Sequence, residues 1–264
     1  GRLVVDSDDW EGPGGWNELA GYSLLQRRFF AWQERWGLTH ADAVTVASRT
    51  LETLVWALGV PQDRVFYVPN GSKGSTKACE ADRQSRDTIL LYTRFFEFPP
   101  ERVIDVFLRV RESLPSARLL VVGKGLFGEE ERFLRLARDA GLTVWDGASS
   151  ASDDASRAME EGELWRGEPD VAYTGWVPTE KLESLFARAK VAIYPFNDTL
   201  VNRAKCAVKL VDLLSAGIPV VAEDVGQNGE YIRDGETGVL VPPGDEEAFA
   251  GAVAQLLGDD ALRV

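Results

Sequence analysis

Three basic residues, Arg203, Lys205 and Lys209, crowd the start of a helix that the residue pattern places from about position 206. The positive end of a helix dipole disfavours cations by ~0.3–1 kcal/mol each. Three of them there point to an anion among them, met by the helix-terminal N–H groups. The plain alternative is surface pairing with Asp198 or Asp212. The stretch that carries them, 196–217 (FNDTLVNRAKCAVKLVDLLSAG), follows an apolar run ending at Pro195. A second anion-binding candidate is 121–125 (VVGKG), where an apolar strand runs into Gly123-Lys124-Gly125 before Gly128 and an acidic helix start at Glu129. Glycine lets a backbone approach a phosphate, although any tight turn after a strand also uses it. Asp6 and Asp8, in the loop 5–15 (VDSDDWEGPGG), have a spacing that can hold Mg²⁺ or Mn²⁺. Capping of turns is the commoner use of such carboxylates, and no metal is expected.

Composition narrows the chemistry. The chain has 264 residues, one histidine (His40) and two cysteines (Cys79 and Cys206). A four-ligand zinc site and a disulfide framework are excluded, and any histidine-dependent nucleophile would need His40. His40 lies between a helix and a strand, where a lone histidine is more often structural. The net charge of −13 is not that of a nucleic-acid coat. Eight acids fall between Asp146 and Asp170, so part of that charge is local. No apolar run approaches the ~18 residues of a membrane span.

The elements that must position these residues alternate. Apolar, β-branched runs sit at 3–5, 44–47, 65–68, 89–93, 118–122, 171–174, 191–194, 219–222 and 238–241. Helix-period segments lie between most of them, at 22–38, 51–58, 101–113, 129–140, 179–188, 209–216 and 246–257. Strand, helix, strand at this spacing predicts a parallel sheet with helices on both faces. Gly59, Gly141 and Gly217 follow helical patterns, as C-terminal caps do. Tyr22, Leu25, Phe29, Trp32 and Trp36 fall at 3–4 spacing beside Arg27, Arg28 and Arg35. Such a stripe is expected to be core, with a membrane-surface helix as the alternative. The polar, aperiodic 71–87 reads as a linker, and 147–169 as an acidic insert.

These pieces in this order resemble the retaining glycosyltransferases of family 4, the glycosyl transferases group 1, which have the GT-B fold. The resemblance runs from about Ala41 to Leu257. It rests on 41–48 (ADAVTVAS), 68–71 (VPNG), Tyr92-Thr93-Arg94, 121–125, 174–178 (TGWVP), 216–222 (AGIPVVA) and 235–244 (GETGVLVPPG). It implies an α/β fold of two Rossmann-like, doubly wound parallel-sheet domains, the N-terminal one incomplete because the chain reads as cut at both ends. Residues 1–75 would close an acceptor domain, 76–87 would link, and 88–264 would bind the nucleotide sugar.

The family's chemistry implies transfer of a sugar from a nucleotide-diphosphate sugar to a glycan, lipid or small-molecule acceptor with retention, without cofactor or metal. Arg94 and Lys205 would stabilise the leaving diphosphate. Gly123 and Gly125 would line the cleft, and Gly175, Trp176 and Val177 would meet the nucleobase. Asp198, Arg203, Cys206, Ala207, Val208 and Lys209 would surround the donor phosphates, and Asp212 would hold the ribose. The sequence departs from the family at three places. Asp212 stands where the second glutamate of Glu-x7-Glu falls, Ala204 where the first falls, and Pro99 or Pro100 where the phosphate lysine falls. Arg102, Arg203 or Lys205 would supply the missing charge. A GT-B epimerase would want more histidines. A non-catalytic homologue that binds a sugar or a partner would tolerate Ala204. A Rossmann dehydrogenase would place its glycine motif at the first strand of the domain. The protein is expected to be cytoplasmic, with peripheral contact at the inner membrane face, and the 264 residues alone are expected to bind donor without transferring sugar.

Overall fold

The computed structural model describes residues 1–72, 87–148, 163–165 and 167–263. The linker expected at 76–87 lies outside them except for Asp87, as do Cys79 and most of the acidic insert. The strands are β1 (Val4–Ser7), β2 (Ala43–Val46), β3 (Val65–Tyr67), β4 (Thr88–Tyr92), β5 (Arg118–Val122), β6 (Val144–Asp146), β7 (Val171–Tyr173), β8 (Val191–Tyr194), β9 (Val220–Glu223) and β10 (Val239–Val241). The α-helices among the described residues are α1 (Leu24–His40), α2 (Arg49–Ala57), α3 (Pro100–Ser113), α4 (Glu129–Asp139), α5 (Thr179–Phe186), α6 (Leu200–Ala204), α7 (Val208–Ser215), α8 (Asn228–Tyr231) and α9 (Glu246–Gly258). The expected α/β class and parallel sheets are observed.

The chain divides into two compact units. The smaller comprises Gly1–Ser72 with Asp198–Val208 and Val225–Tyr231. Its sheet has the order β1-β2-β3, all parallel, with Val5 opposite Val44 and Val44 opposite Val65. Buried Leu38, Val44, Val46, Leu51, Val55 and Val65 form its core. The two later segments join this unit although chain order alone places them after residue 88. Ser48 Oγ caps α2 by accepting from Leu51 N–H at 3.1 Å and donates to the Ala204 carbonyl. Gln227 Nε2 donates to the Ala47 carbonyl at 2.7 Å and to Tyr67 Oη at 2.8 Å. These bonds satisfy buried polar groups that would otherwise cost ~1–3 kcal/mol each.

Helix α1 overturns the expectation of a core stripe. Its N-terminus carries a capping box between Ser23 and Gln26, and Leu38 is its buried residue. Leu25, Phe29, Trp32 and Trp36 are instead exposed. The inward side is partly polar, with half-buried Glu34. Glu34 Oε1 accepts from the Glu11 N–H at 3.0 Å, which ties α1 to the acidic loop around buried Trp10. Burial, and secondarily the Glu11 carboxylate, push the Glu34 carboxyl from 4.5 up to about 7. A raised acid holds its proton longer when folded, so this site gains stability as pH falls below about 7 and has gained all of it below 4.5. Glu34→Gln is therefore expected to melt at a higher temperature than the parent at pH 8 and at nearly the same temperature at pH 4.5. A parent protein more stable than the variant at pH 8 would show that the carboxylate is stabilising.

The larger unit holds a seven-stranded, all-parallel sheet of order β10-β9-β8-β4-β5-β7-β6. Its central strands are buried nearly throughout, which is why they read as continuous apolar runs rather than alternating ones. Phe107, Phe133, Phe249 and Val253 are among the helix residues that close its core. The strand order runs outward from β4 in both directions. Chains leaving β4 and β8 therefore diverge, and in sheets of this kind ligands sit at the carboxyl ends of the strands at that point.

Candidate functional site

The turn after β4 stands at this switch point. Thr93 Oγ1 accepts from the Phe95 N–H at 2.7 Å and donates to Glu97 at 3.3 Å. Phe95 has φ of +66°, a region that bulky residues seldom occupy. Its buried ring packs on Phe98, Phe133 and Tyr173, and this packing holds the strained backbone. The turn leaves Arg94 exposed, and among the described residues Arg94 makes no ion pair.

Tyr92, the last residue of β4, gathers three charged neighbours. Lys209 Nζ lies 4.3 Å from its ring centroid, a cation–π distance. Burial, and then the Asp212 carboxylate, raise the Tyr92 hydroxyl pKa, while Arg94 opposes them. Lys209 and Asp212 are three residues apart in α7 and so share a face. Arg94, Tyr92, Lys209 and Asp212 thus form one polar cluster at the carboxyl end of the central strand.

The neighbouring strand ends are built by glycine. Gly123, after β5, has φ of +130°, and a Cβ there would meet the Thr93 carbonyl oxygen at 1.9 Å. Its N–H donates to the Gly175 carbonyl at 2.9 Å. Gly175, after β7, has φ of +70°. Beside it Trp176 is 71% exposed and Val177 is buried. Gly123 therefore serves the approach of two strand-end loops to each other.

Several sequence expectations need correction here. The Gly125 N–H donates to Glu130 at 3.1 Å and the Phe127 N–H to Glu129 at 2.8 Å. The amides of the glycine loop are filled by the chain's own carboxylates, as favourable at the start of α4. Arg102 is buried, paired with Glu223 and bonded to Asn197 Oδ1 at 3.1 Å; its charge is used inside the unit. In the smaller unit, Arg203 lies in the last turn of α6 and not at the start of α7. A cation is favoured there, and its guanidinium forks onto both carboxylate oxygens of Asp198, one at 2.7 Å. The row of cations expected before α7 is thus neutralised in part by Asp198.

Lys205 is half-buried in the bend between α6 and α7. Cys206 is buried, its thiol raised mainly by burial and 3.8 Å from Tyr231 Oη. The Ala207 N–H donates to Gln227 Oε1 at 3.4 Å, and the Val208 N–H to the Cys206 carbonyl at 2.9 Å. Ala204 is fully buried in that unit's core. The Asp-x-Asp carboxylates serve the loop: Asp6 accepts from Thr45, and Asp8 from Asn70 at 3.4 Å. His40 stacks on Trp36 with centroids 4.6 Å apart, a helix-end contact.

Glu223 is the residue that sequence reasoning missed. Fully buried at the end of β9, it accepts from the Phe196 N–H at 2.5 Å and the Gly244 N–H at 3.0 Å besides pairing with Arg102. It ties the loops after β8 and β10 to α3. An acid closing the run 219–222 is the only local trace of this.

The family model for glycosyl transferases group 1 matches residues 87–259, and the model for a glycosyl transferase 4-like domain matches residues 2–71. Over 56 residues the chain is 48% identical to the phosphatidyl-myo-inositol mannosyltransferase of Mycobacterium leprae, covering 21% of this chain and 15% of that one. Over 235 residues it is 23% identical to the GDP-mannose-dependent alpha-(1-6)-phosphatidylinositol monomannoside mannosyltransferase of Mycolicibacterium smegmatis, covering 83% and 54%. The chain therefore spans at most about half the length of these two relatives. Among solved structures, Anabaena HepE in complex with UDP and glucose superposes with a TM-score of 0.68 at 18% identity, over 99% of this chain and 63% of that one. This likeness bears out the GT-B fold.

Proposed function

The chain belongs to the glycosyl transferases group 1, and from that premise we propose that it serves the transfer of a hexose-type sugar from a nucleoside-diphosphate sugar to a glycan, lipid or small-molecule acceptor, with retention of configuration. The bond between the anomeric carbon and the diphosphate oxygen breaks, the acceptor oxygen takes its place, and the acceptor's proton is released. Negative charge grows on the departing diphosphate, so the largest contribution comes from fixed cations facing it. Arg94 is our candidate for that role. Asp212 would accept from the ribose hydroxyls, and the Gly175–Val177 turn would border the base. The relatives named for mannosyl transfer and the neighbour holding UDP and glucose support a donor of this class.

The observation that carries the proposal is Arg94. It is an exposed cation without an ion pair among the described residues, presented by a turn at the carboxyl end of the central strand, where ligands of such sheets sit. A second reading has its own observations. Ala204 offers no carboxylate to the donor sugar, and Arg203 is engaged by Asp198, which suits a module that binds donor without transferring it.

Calorimetric titration with UDP, GDP and their glucose and mannose conjugates, followed by a turnover assay, tests both readings. Asp212→Asn is expected to weaken nucleotide binding by ~1–3 kcal/mol, the worth of charge-assisted hydrogen bonds to a diol, with an unchanged melting temperature. Equal affinity in both proteins would remove Asp212 from the donor site and leave it only its charge effect on Tyr92. Absence of binding to any nucleotide would overturn the donor reading, and binding without turnover would select the second one.

A further inference from the structure

Tyr92 stands among the charges of the candidate site, and its ring is held in place. β4 and β5 pair with Tyr92 opposite Val122, which roots the residue at the carboxyl end of the central strand. The buried ring of Phe186, at the end of α5, meets it edge-on, with centroids 5.3 Å apart and planes at 62°. The Lys209 ammonium lies over the face of the ring, 4.3 Å from its centroid. The hydroxyl end feels the Asp212 carboxylate and the Arg94 guanidinium with opposite sign. All of these side chains belong to the larger unit.

Lys209 has two reasons to need such a seat. It is the second residue of α7, in the turn where a helix dipole disfavours a cation. A lysine also carries its ammonium on a flexible stem, and the freedom of that stem is lost when the ammonium grips a phosphate. The face of an aromatic ring attracts a cation, which offsets the first effect. Holding the ammonium before the ligand arrives reduces the second, because the ordering has already taken place. An aliphatic side chain of similar bulk would fill the half-buried strand end equally well but would do neither. We infer that Tyr92 is a positioning residue: its ring seats the Lys209 ammonium at the strand end that presents Arg94, so that both cations meet the donor diphosphate in a preset arrangement. The inference rests on the donor reading above and extends it to a side chain that touches no reacting atom.

The test uses the whole chain and two readouts. Reductive methylation with isotope-labelled formaldehyde keeps the charge of each lysine and gives its ammonium an NMR signal. The Lys209 signal, identified by its disappearance in Lys209→Met, is expected upfield of the others because it lies over a ring. Tyr92→Phe should keep that shift and Tyr92→Leu should lose it. Calorimetric titration with UDP and GDP then reads the consequence for binding. Tyr92→Leu should weaken the nucleotide that binds by roughly tenfold, and Tyr92→Phe by less than about twofold, since phenylalanine keeps the ring face. Added to Lys209→Met, Tyr92→Leu should cause no further loss. Additive losses would overturn the inference, and so would equal losses in the leucine and phenylalanine variants, which would assign the effect to the hydroxyl. An unshifted Lys209 signal in the parent protein would overturn the seat whatever the nucleotide result, and it needs no folded variant. A shifted signal in a parent that binds neither nucleotide would sink the donor reading instead, and the role of Tyr92 with it.

Discussion

Arg94→Gln is expected to lower sugar transfer by ~10²–10³-fold, the effect of removing one preorganised group that faces developing charge. Nucleoside-diphosphate affinity should fall by a smaller factor, about 10–100-fold, because the charge on the diphosphate is greater in the transition state than in the bound donor. The fold should not notice. Arg94 is exposed and makes no ion pair among the described residues, and substitutions at such positions stay within about 0.5 kcal/mol. Arg94→Lys separates charge from geometry. A lysine keeps the positive charge but loses the planar fork that grips two phosphate oxygens, so most of the affinity and little of the rate should return. Turnover and titration on the three proteins decide the matter. Rates within twofold of one another would remove Arg94 from the chemistry and make the strained turn a packing feature alone.

The turn that presents Arg94 shows where sequence reasoning ends. Tyr92-Thr93-Arg94 at the end of an apolar run is visible in the residues, and so is the parallel alternation around it. The positive φ of Phe95 is not. A phenylalanine carries no local signal for that region, and what holds it there is packing on Phe98, Phe133 and Tyr173, of which the last two are remote in sequence. The short elements were hidden for a related reason. β6 is three residues at a sheet edge, half-buried and paired only with β7. α6 and α8 have five and four residues. None is long enough for a period to declare itself.

Helix α1 is legible in the sequence as a helix, but the face it turns to the rest of this unit is not. Periodicity reports that apolar residues share a side; whether that side meets protein depends on what else is folded there. The cations at 203–209 do not all gather at one helix start, for an equally local reason. A five-residue helix between Asp198 and Lys205 moves Arg203 to a helix end where a cation is welcome, and brings it onto Asp198. Lys209 and Asp212 kept their expected helical relation, and the aromatic partner between them and Arg94 came from β4.

The pair beneath the site gives the largest expected change in stability. Glu223 is fully buried and Arg102 nearly so, with side-chain exposures of 0% and 7%. Taking two charges out of water is costly, and their attraction offsets the cost only when the remaining hydrogen-bonding capacity is also met. Here much of it is: Phe196 and Gly244 donate to the carboxylate, and Asn197 accepts from the guanidinium. Glu223→Gln keeps the shape and removes the charge, which leaves Arg102 buried without its counter-ion. The expected cost is ~3–5 kcal/mol, and at roughly 2–4 °C per kcal/mol for a unit of this size the melting temperature should fall by about 10 °C. The double variant Arg102→Met, Glu223→Gln removes both charges and should recover most of that loss, because the penalty is the orphaned guanidinium and not the absence of an attraction. Thermal melts of the parent, the two single variants and the double variant form a complete cycle. The loops after β8 and β10 hang on this carboxylate, so the single variant should also lose nucleotide affinity, in step with its stability and recoverably at low temperature. Additive losses in the double variant would mean that Glu223 acts through its two backbone partners alone, and that the ion pair contributes nothing of its own.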